Sequence, residues 1–227
     1  MGRPGAHPVA ALGRLTVADV VDATALTAWV REFARLVHEQ RDRLTQLDAA
    51  IGDADHGANL DRGMTAVVAA LEAQPPDDPA AVLKTVATTL IKTVGGASGP
   101  LYGTFFLRAA GALDGGDGAA LARAVRAGLG GVAARGKAEA GDKTMLDALG
   151  PACDALDEAL AAGKPLGEAL NAAAAAAARG RDATEPLVAR KGRASYLGER
   201  SAGHVDPGAA SATLLVEAAA TALPGRG

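Results

Sequence analysis

Asp48, Asp53 and Asp55 fall within eight residues, the last two alternating along Gly52-Asp53-Ala54-Asp55-His56-Gly57. Carboxylates this close repel one another unless a cation joins them. A hard divalent cation answers that need, and magnesium takes a few carboxylates and completes its shell with water and phosphate oxygens. With no thiol or histidine pair beside them, three aspartates suit Mg²⁺ better than Zn²⁺. Taken alone, the pattern fits equally a helix closed by Asp48 and followed by two turn residues. A calcium hand does not fit, because the twelfth position counted from Asp53 is Met64 instead of glutamate. His56 and Asn59 follow at the entry to a helix. Such an entry offers free N–H groups and the positive end of a dipole, which favour phosphate. His56 either touches that ligand or caps the helix, and its position favours the cap.

Three more loops have chemical potential. Gly95-Gly96-Ala97-Ser98-Gly99-Pro100 precedes a helix, and its small residues let backbone approach an anion while Ser98 offers a hydroxyl. No GKS or GKT follows, so it is not a P-loop. Gly136 through Glu139 and Gly141 through Met145 form a polar stretch that either lines a pocket, with Met145 against a base, or is a charged solvent loop. Arg190 to Ser201, continuing to His204-Val205-Asp206-Pro207-Gly208, is a long irregular stretch rich in Arg, Ser and Gly. Loops of that length are usually functional or disordered, and this composition suits phosphate and ribose.

The elements that must position these loops read as helices. Apolar residues recur at helical spacing from Asp22 to Leu47, then through Leu60 to Leu71 up to Pro75-Pro76. A third helix spans about Pro79 to Thr93 with Val82, Leu83, Val86, Leu90 and Ile91 inward, and Pro100 opens a fourth. Others are expected at 117–134, 144–162 and 165–181, and Asp206-Pro207 starts the last, which runs to about Leu223. These are eight helical segments without a strand, and an all-α bundle or barrel of antiparallel helices buries them best. The composition agrees: 49% of the 227 residues are apolar but only 3% aromatic, so Ala, Leu and Val must form the core. A formal charge of −3 argues against a nucleic-acid partner. No apolar run has the length of a membrane span, and the lone Cys153 cannot form an internal disulfide, so the expected setting is the reducing cytoplasm. Residues 1–20 read as a flexible extension and 21–227 as the domain.

The stretches LDAAIGDADHGANLDRG, GGASGPLYGTFF, RGKAEAGDKTMLDAL and RKGRASYLGERSAGHVDPGAAS, in this order, resemble the L subunits of bacterial dihydroxyacetone kinases and the C-terminal domain of the single-chain kinases. The resemblance implies a barrel of eight antiparallel helices with ADP or ATP on one rim. Asp48, Asp53 and Asp55 would bind two Mg²⁺ ions that bridge the nucleotide phosphates. Phosphate contacts would fall on His56, Gly57, Asn59, Ala97 and Ser98, with Lys191 or Arg193 also reaching them. Purine and ribose contacts would fall on Gly136, Met145, Asp206, Pro207 and Gly208. The family motif usually reads GDGDHG, and Ala54 here would strain the loop if that position needs a positive φ. The sugar would be held covalently by a histidine of a separate K subunit that also supplies the base, so the chain alone would transfer nothing. A free-standing L chain favours ADP as a permanent cofactor, rephosphorylated by a phosphohistidine M subunit of the phosphotransferase system. The alternatives are a freely exchanging ATP-dependent subunit and a non-catalytic L-like protein that binds a transcriptional regulator. A fatty-acid kinase domain fits less well, since its loop reads closer to PDGDTGTN. A carboxylate-metal phosphatase would hydrolyse phosphate esters by itself, which is not expected.

Overall fold

The computed structural model describes residues 20–224. Nine α-helices run through them: α1 (Ala23–Glu39), α2 (Arg41–Ile51), α3 (His56–Ala73), α4 (Pro79–Thr93), α5 (Ser98–Ala112), α6 (Gly118–Gly136), α7 (Leu146–Ala161), α8 (Leu166–Ala183) and α9 (Pro207–Ala222). A 3₁₀ segment, Arg193–Ser201, breaks the last long loop, and the described residues contain no strand. The extension expected over residues 1–20 lies, except for its last residue, outside the described residues.

Several ends follow from side chains at the boundary. Asp22, Asp78, Asp117 and Asp206 each accept a hydrogen bond from the backbone N–H three residues on, and proline occupies the first position of α4 and α9. The helix expected from Asp22 to Leu47 is instead two, divided at Gln40. Each half buries its own stripe: Leu26, Trp29, Val30, Phe33 and Val37 in α1, but Leu44, Asp48 and Ile51 in α2. The break turns α2 so that Asp48 faces inward. Ile91, expected inside, is 48% exposed, while its helix neighbours Ala87 and Leu90 are buried.

The core has an aromatic end and an alanine-rich remainder. Trp29 and Phe33 of α1 meet Phe106 and Tyr102 of α5 with ring centroids 5.9 Å apart in both pairs. The indole N–H of Trp29 donates to the carbonyl of Leu215 in α9 at 2.9 Å. Elsewhere small residues let helices approach to backbone contact. A Cβ on Gly180 of α8 would lie 2.0 Å from the carbonyl oxygen of Asp147 in α7. Backbone cannot yield there as a flexible side chain can. Gly180→Ala is therefore expected to destabilise the protein by about 3 kcal/mol, the upper end for overpacking, read as a lower urea midpoint at unchanged m.

Candidate functional site

Asp48 sits one turn before the end of α2 and is 7% exposed. Its Oδ2 accepts the amides of Asp55 (2.9 Å) and His56 (3.1 Å), which folds the loop 52–55 back over the helix end. A Cβ on Gly52 would lie 2.0 Å from Asp48 Oδ1, so only glycine lets the chain leave α2 so close to that carboxylate. One oxygen from each of Asp48, Asp53 and Asp55 lies within 4.8 Å of the others. Desolvation and then Asp55 push the Asp53 carboxyl up, against the opposing guanidinium of Arg193. Clustered hard oxygen donors with mutual repulsion are the donor set a divalent cation such as Mg²⁺ fits.

Ala54 does adopt a positive φ, 61°. The left-handed region costs a non-glycine residue about 1–2 kcal/mol. Glycine there would give back about 0.4–1 kcal/mol through the freer unfolded chain. Ala54→Gly should then stabilise the protein by between about 0 and 1.6 kcal/mol in denaturant titration, small enough for alanine to be tolerated.

His56 is buried as the first residue of α3 and does not cap it; its ring serves another purpose. Nδ1 lies 3.0 Å from Ser98 Oγ and Nε2 lies 2.9 Å from Ser211 Oγ. Ser211 Oγ is also 2.7 Å from the Tyr102 hydroxyl and donates to the Gly208 carbonyl at 3.1 Å. Burial lowers the His56 pKa despite Asp48 and Asp55, so the ring is neutral, with one donor and one acceptor. With the Ser211 proton on Gly208, Nε2–H and the Tyr102 hydroxyl donate to Ser211, and Ser98 donates to Nδ1. His56 thus couples the glycine-rich loop at Ser98 to the turn at Gly208.

The loops converge on one cavity of about 360 Å³. Asp48, Asp53, Asp55, His56, Ala97, Ser98, Gly136, Met145, Lys191, Arg193, Asp206, Pro207 and Gly208 all line it. Two of the residues singled out in the sequence do not. Gly57 is pressed against α2, where a Cβ would lie 2.0 Å from the Arg41 carbonyl, so helix crossing accounts for that glycine. Asn59 accepts from Arg62 at 2.8 Å, and its amide nitrogen lies 3.6 Å from where a Cβ on Gly95 would sit. The aspartates and Arg193 form a polar part of the lining, and Leu101, Val132, Met145 and Leu146 an apolar one.

Sequence reasoning missed Lys143. It is 1% exposed in a left-handed conformation (φ 65°), and its ammonium donates to the carbonyls of Thr184 (2.9 Å), Glu185 (3.3 Å), Leu187 (3.0 Å) and His204. The stretch 136–145 is thus exposed at Lys137 and Glu139 but buried at Asp142 and Lys143, and Lys143 clamps both ends of the segment carrying Lys191 and Arg193. Asp206 caps α9 through Oδ2 to the Ala209 amide at 2.7 Å, and burial pushes its carboxyl up to about 7. Ser211 and Tyr102 also went unread, since nothing in GAASATLL or LYGTFF marks a buried hydroxyl pair.

The sequence matches the DAK2 domain family over residues 50–221. It is 43% identical over 202 residues to the PEP-dependent dihydroxyacetone kinase, ADP-binding subunit DhaL, of Escherichia coli (strain K12), covering 88% of this chain and 96% of that one. Identity to the ADP-binding subunit DhaL of PEP-dependent dihydroxyacetone kinase 1 of Listeria innocua is 44%, covering 84% and 91%. The crystal structure of the dihydroxyacetone kinase from C. freundii in complex with AMP-PNP and Mg²⁺ matches with a TM-score of 0.67 at 26% identity, covering 96% of this chain. The chain spans only 38% of that larger kinase. The all-helical fold is shared with the part of that kinase it matches, and the eight-helix barrel expected from the sequence is here nine α-helices and a 3₁₀ segment among the described residues. With a family match across most of its length and relatives above 40% identical along nearly theirs, the chain belongs to the DAK2 domain family.

Proposed function

We propose that this chain is the nucleotide-binding subunit of a dihydroxyacetone kinase. The observation that carries the reading is a single cavity lined both by three clustered aspartates with an arginine and by the apolar side chains of Leu101, Val132, Met145 and Leu146. That combination suits a nucleoside diphosphate, with phosphates and Mg²⁺ assigned to Asp48, Asp53 and Asp55 and the base to Met145 and Leu146. Two Mg²⁺ ions sharing the three carboxylates is the count we adopt. Bound there, the ions would neutralise charge on the phosphate oxygens during transfer. The chain's own groups do the rest. The amides at the start of α5 and the side chains of Lys191 and Arg193 hold phosphate oxygens, and Gly136 with the Asp206-Pro207-Gly208 turn borders the sugar and base. Gly57 and Asn59 support this set from behind the lining. His56 acts as a positioning residue, because both its ring nitrogens are spent on serines.

The triose and the base that deprotonates it belong, in this reading, to a separate K subunit, and the phosphoryl group comes from a phosphohistidine M subunit to ADP that stays bound. Chain purified without added nucleotide, then denatured, tests this by chromatography of what is released, with magnesium measured on the same sample. ADP near one per chain supports the permanent cofactor. An empty protein that takes up ATP reversibly assigns it to an ATP-dependent kinase. A protein that binds neither overturns the kinase role and moves the regulator-binding role to the front.

A further inference from the structure

Arg193 Nη2 lies 2.9 Å from Asp53 Oδ2, and among the described residues this is the one ion pair the three aspartates make. The guanidinium is carried on the 3₁₀ segment Arg193–Ser201, which the chain enters through Gly192 at φ 68°. Its base is fixed by the small apolar cluster of Ile51, Ala189 and Ala194, with Leu197 packed on it. The side chain itself is 64% exposed and that of Asp53 31%. A pair so wet is weak, worth about 0.2–1 kcal/mol, and yields readily to a stronger competitor. A divalent cation is such a competitor, and it cannot share the Asp53 oxygen with a guanidinium without bringing two positive charges together.

We infer that Arg193 is the resident counter-ion of the aspartate trio, that a divalent cation displaces it, and that the freed guanidinium turns to the phosphates of the nucleotide. The inference rests on the metal reading proposed above. A planar guanidinium serves both partners because carboxylate and phosphate offer the same paired oxygens. One side chain would then oppose metal alone and favour metal with nucleotide, so its removal has effects of opposite sign.

The test uses nucleotide-free full-length chain and Mn²⁺ as the probe, read by paramagnetic resonance of the free ion. Arg193→Gln is expected to bind Mn²⁺ roughly 1.4- to five-fold tighter than the wild type, the ion pair's worth expressed as affinity. The same variant should bind ADP in the presence of Mg²⁺ about ten-fold more weakly, for loss of a charge-assisted hydrogen bond. Arg190→Gln removes a like charge from the same loop and should move Mn²⁺ affinity far less. Mn²⁺ affinity unchanged or weakened in Arg193→Gln, or raised equally in Arg190→Gln, overturns the displacement while the metal site stands. The metal reading itself, and the inference with it, falls if wild type takes up no Mn²⁺ at millimolar concentration. It falls equally if Asp48→Asn binds Mn²⁺ as tightly as wild type, since the ion then sits elsewhere.

Discussion

Asp48→Ala is expected to lower phosphoryl transfer, assayed with the triose-binding partner proposed above, by about 10³-fold, the upper end for loss of one preorganised electrostatic group. Asp48 is placed there because it acts twice. Its carboxylate is one of the three clustered oxygen donors, and its Oδ2 also holds the amides of Asp55 and His56, which shape the loop carrying the other two. Asp53 does not hold the amides of the helix entry, and Asp53→Ala should cost less, about 10²-fold. Asp48→Asn separates the two duties, since an amide oxygen can still accept the backbone N–H groups while the charge is gone. It should keep the melting temperature near wild type and still lose most divalent-cation affinity. Activity within ten-fold of wild type in Asp48→Ala would remove the carboxylate trio from the chemistry.

Lys143→Met should have the largest effect on stability, a loss of about 3 kcal/mol or more, because hydrogen bonds to a charged group are worth about 1.5–3 kcal/mol each and four carbonyls lose their donor. Desolvation already lowers the Lys143 pKa, with Asp206 and Glu185 opposing it. The loss should be local before it is global. The segment between Glu185 and His204 hangs on that ammonium at both ends, so its amides should exchange faster while α1 and α9 stay protected. Nucleotide affinity should fall with it, since Lys191 and Arg193 ride on the freed segment. A urea midpoint within experimental error of wild type would show that the carbonyls find water and that the clamp is not needed.

The helices were readable because their signals are local. Asp78-Pro79 and Asp206-Pro207 announce two starts by chemistry that operates within one turn, and the 3.6-residue spacing of Leu, Val and Phe does the same for the bodies. The break at Gln40 had no such signal: no glycine or proline stands near it, and the turn is set by where α2 must place Asp48 and Ile51. The site was readable to the extent that each motif sits at a helix end, and helix ends are where an all-helical fold can gather loops on one cavity. Gly57 and Asn59 lie in the same motif yet fall outside the lining, because a helix entry turns successive residues to different sides. Lys143 stayed hidden for a different reason. A lysine among Gly, Asp and Thr looks alike whether it faces water or four carbonyls, and the partners that decide lie more than forty residues away.

The chain has one tryptophan, and its placement gives the protein an internal optical gauge. Trp29 is 3% exposed, packs its ring on Phe106, and bonds its N–H to Leu215, none of which borders the aspartate cavity. Its emission is therefore expected at the short wavelengths of a dry indole and should stay there when nucleotide or cation is added. It should shift red only when α1 parts from α9. Fluorescence can then certify that a site variant is folded in the same cuvette in which its ligand affinity is measured by other means, so a lost activity and a lost structure need not be confused.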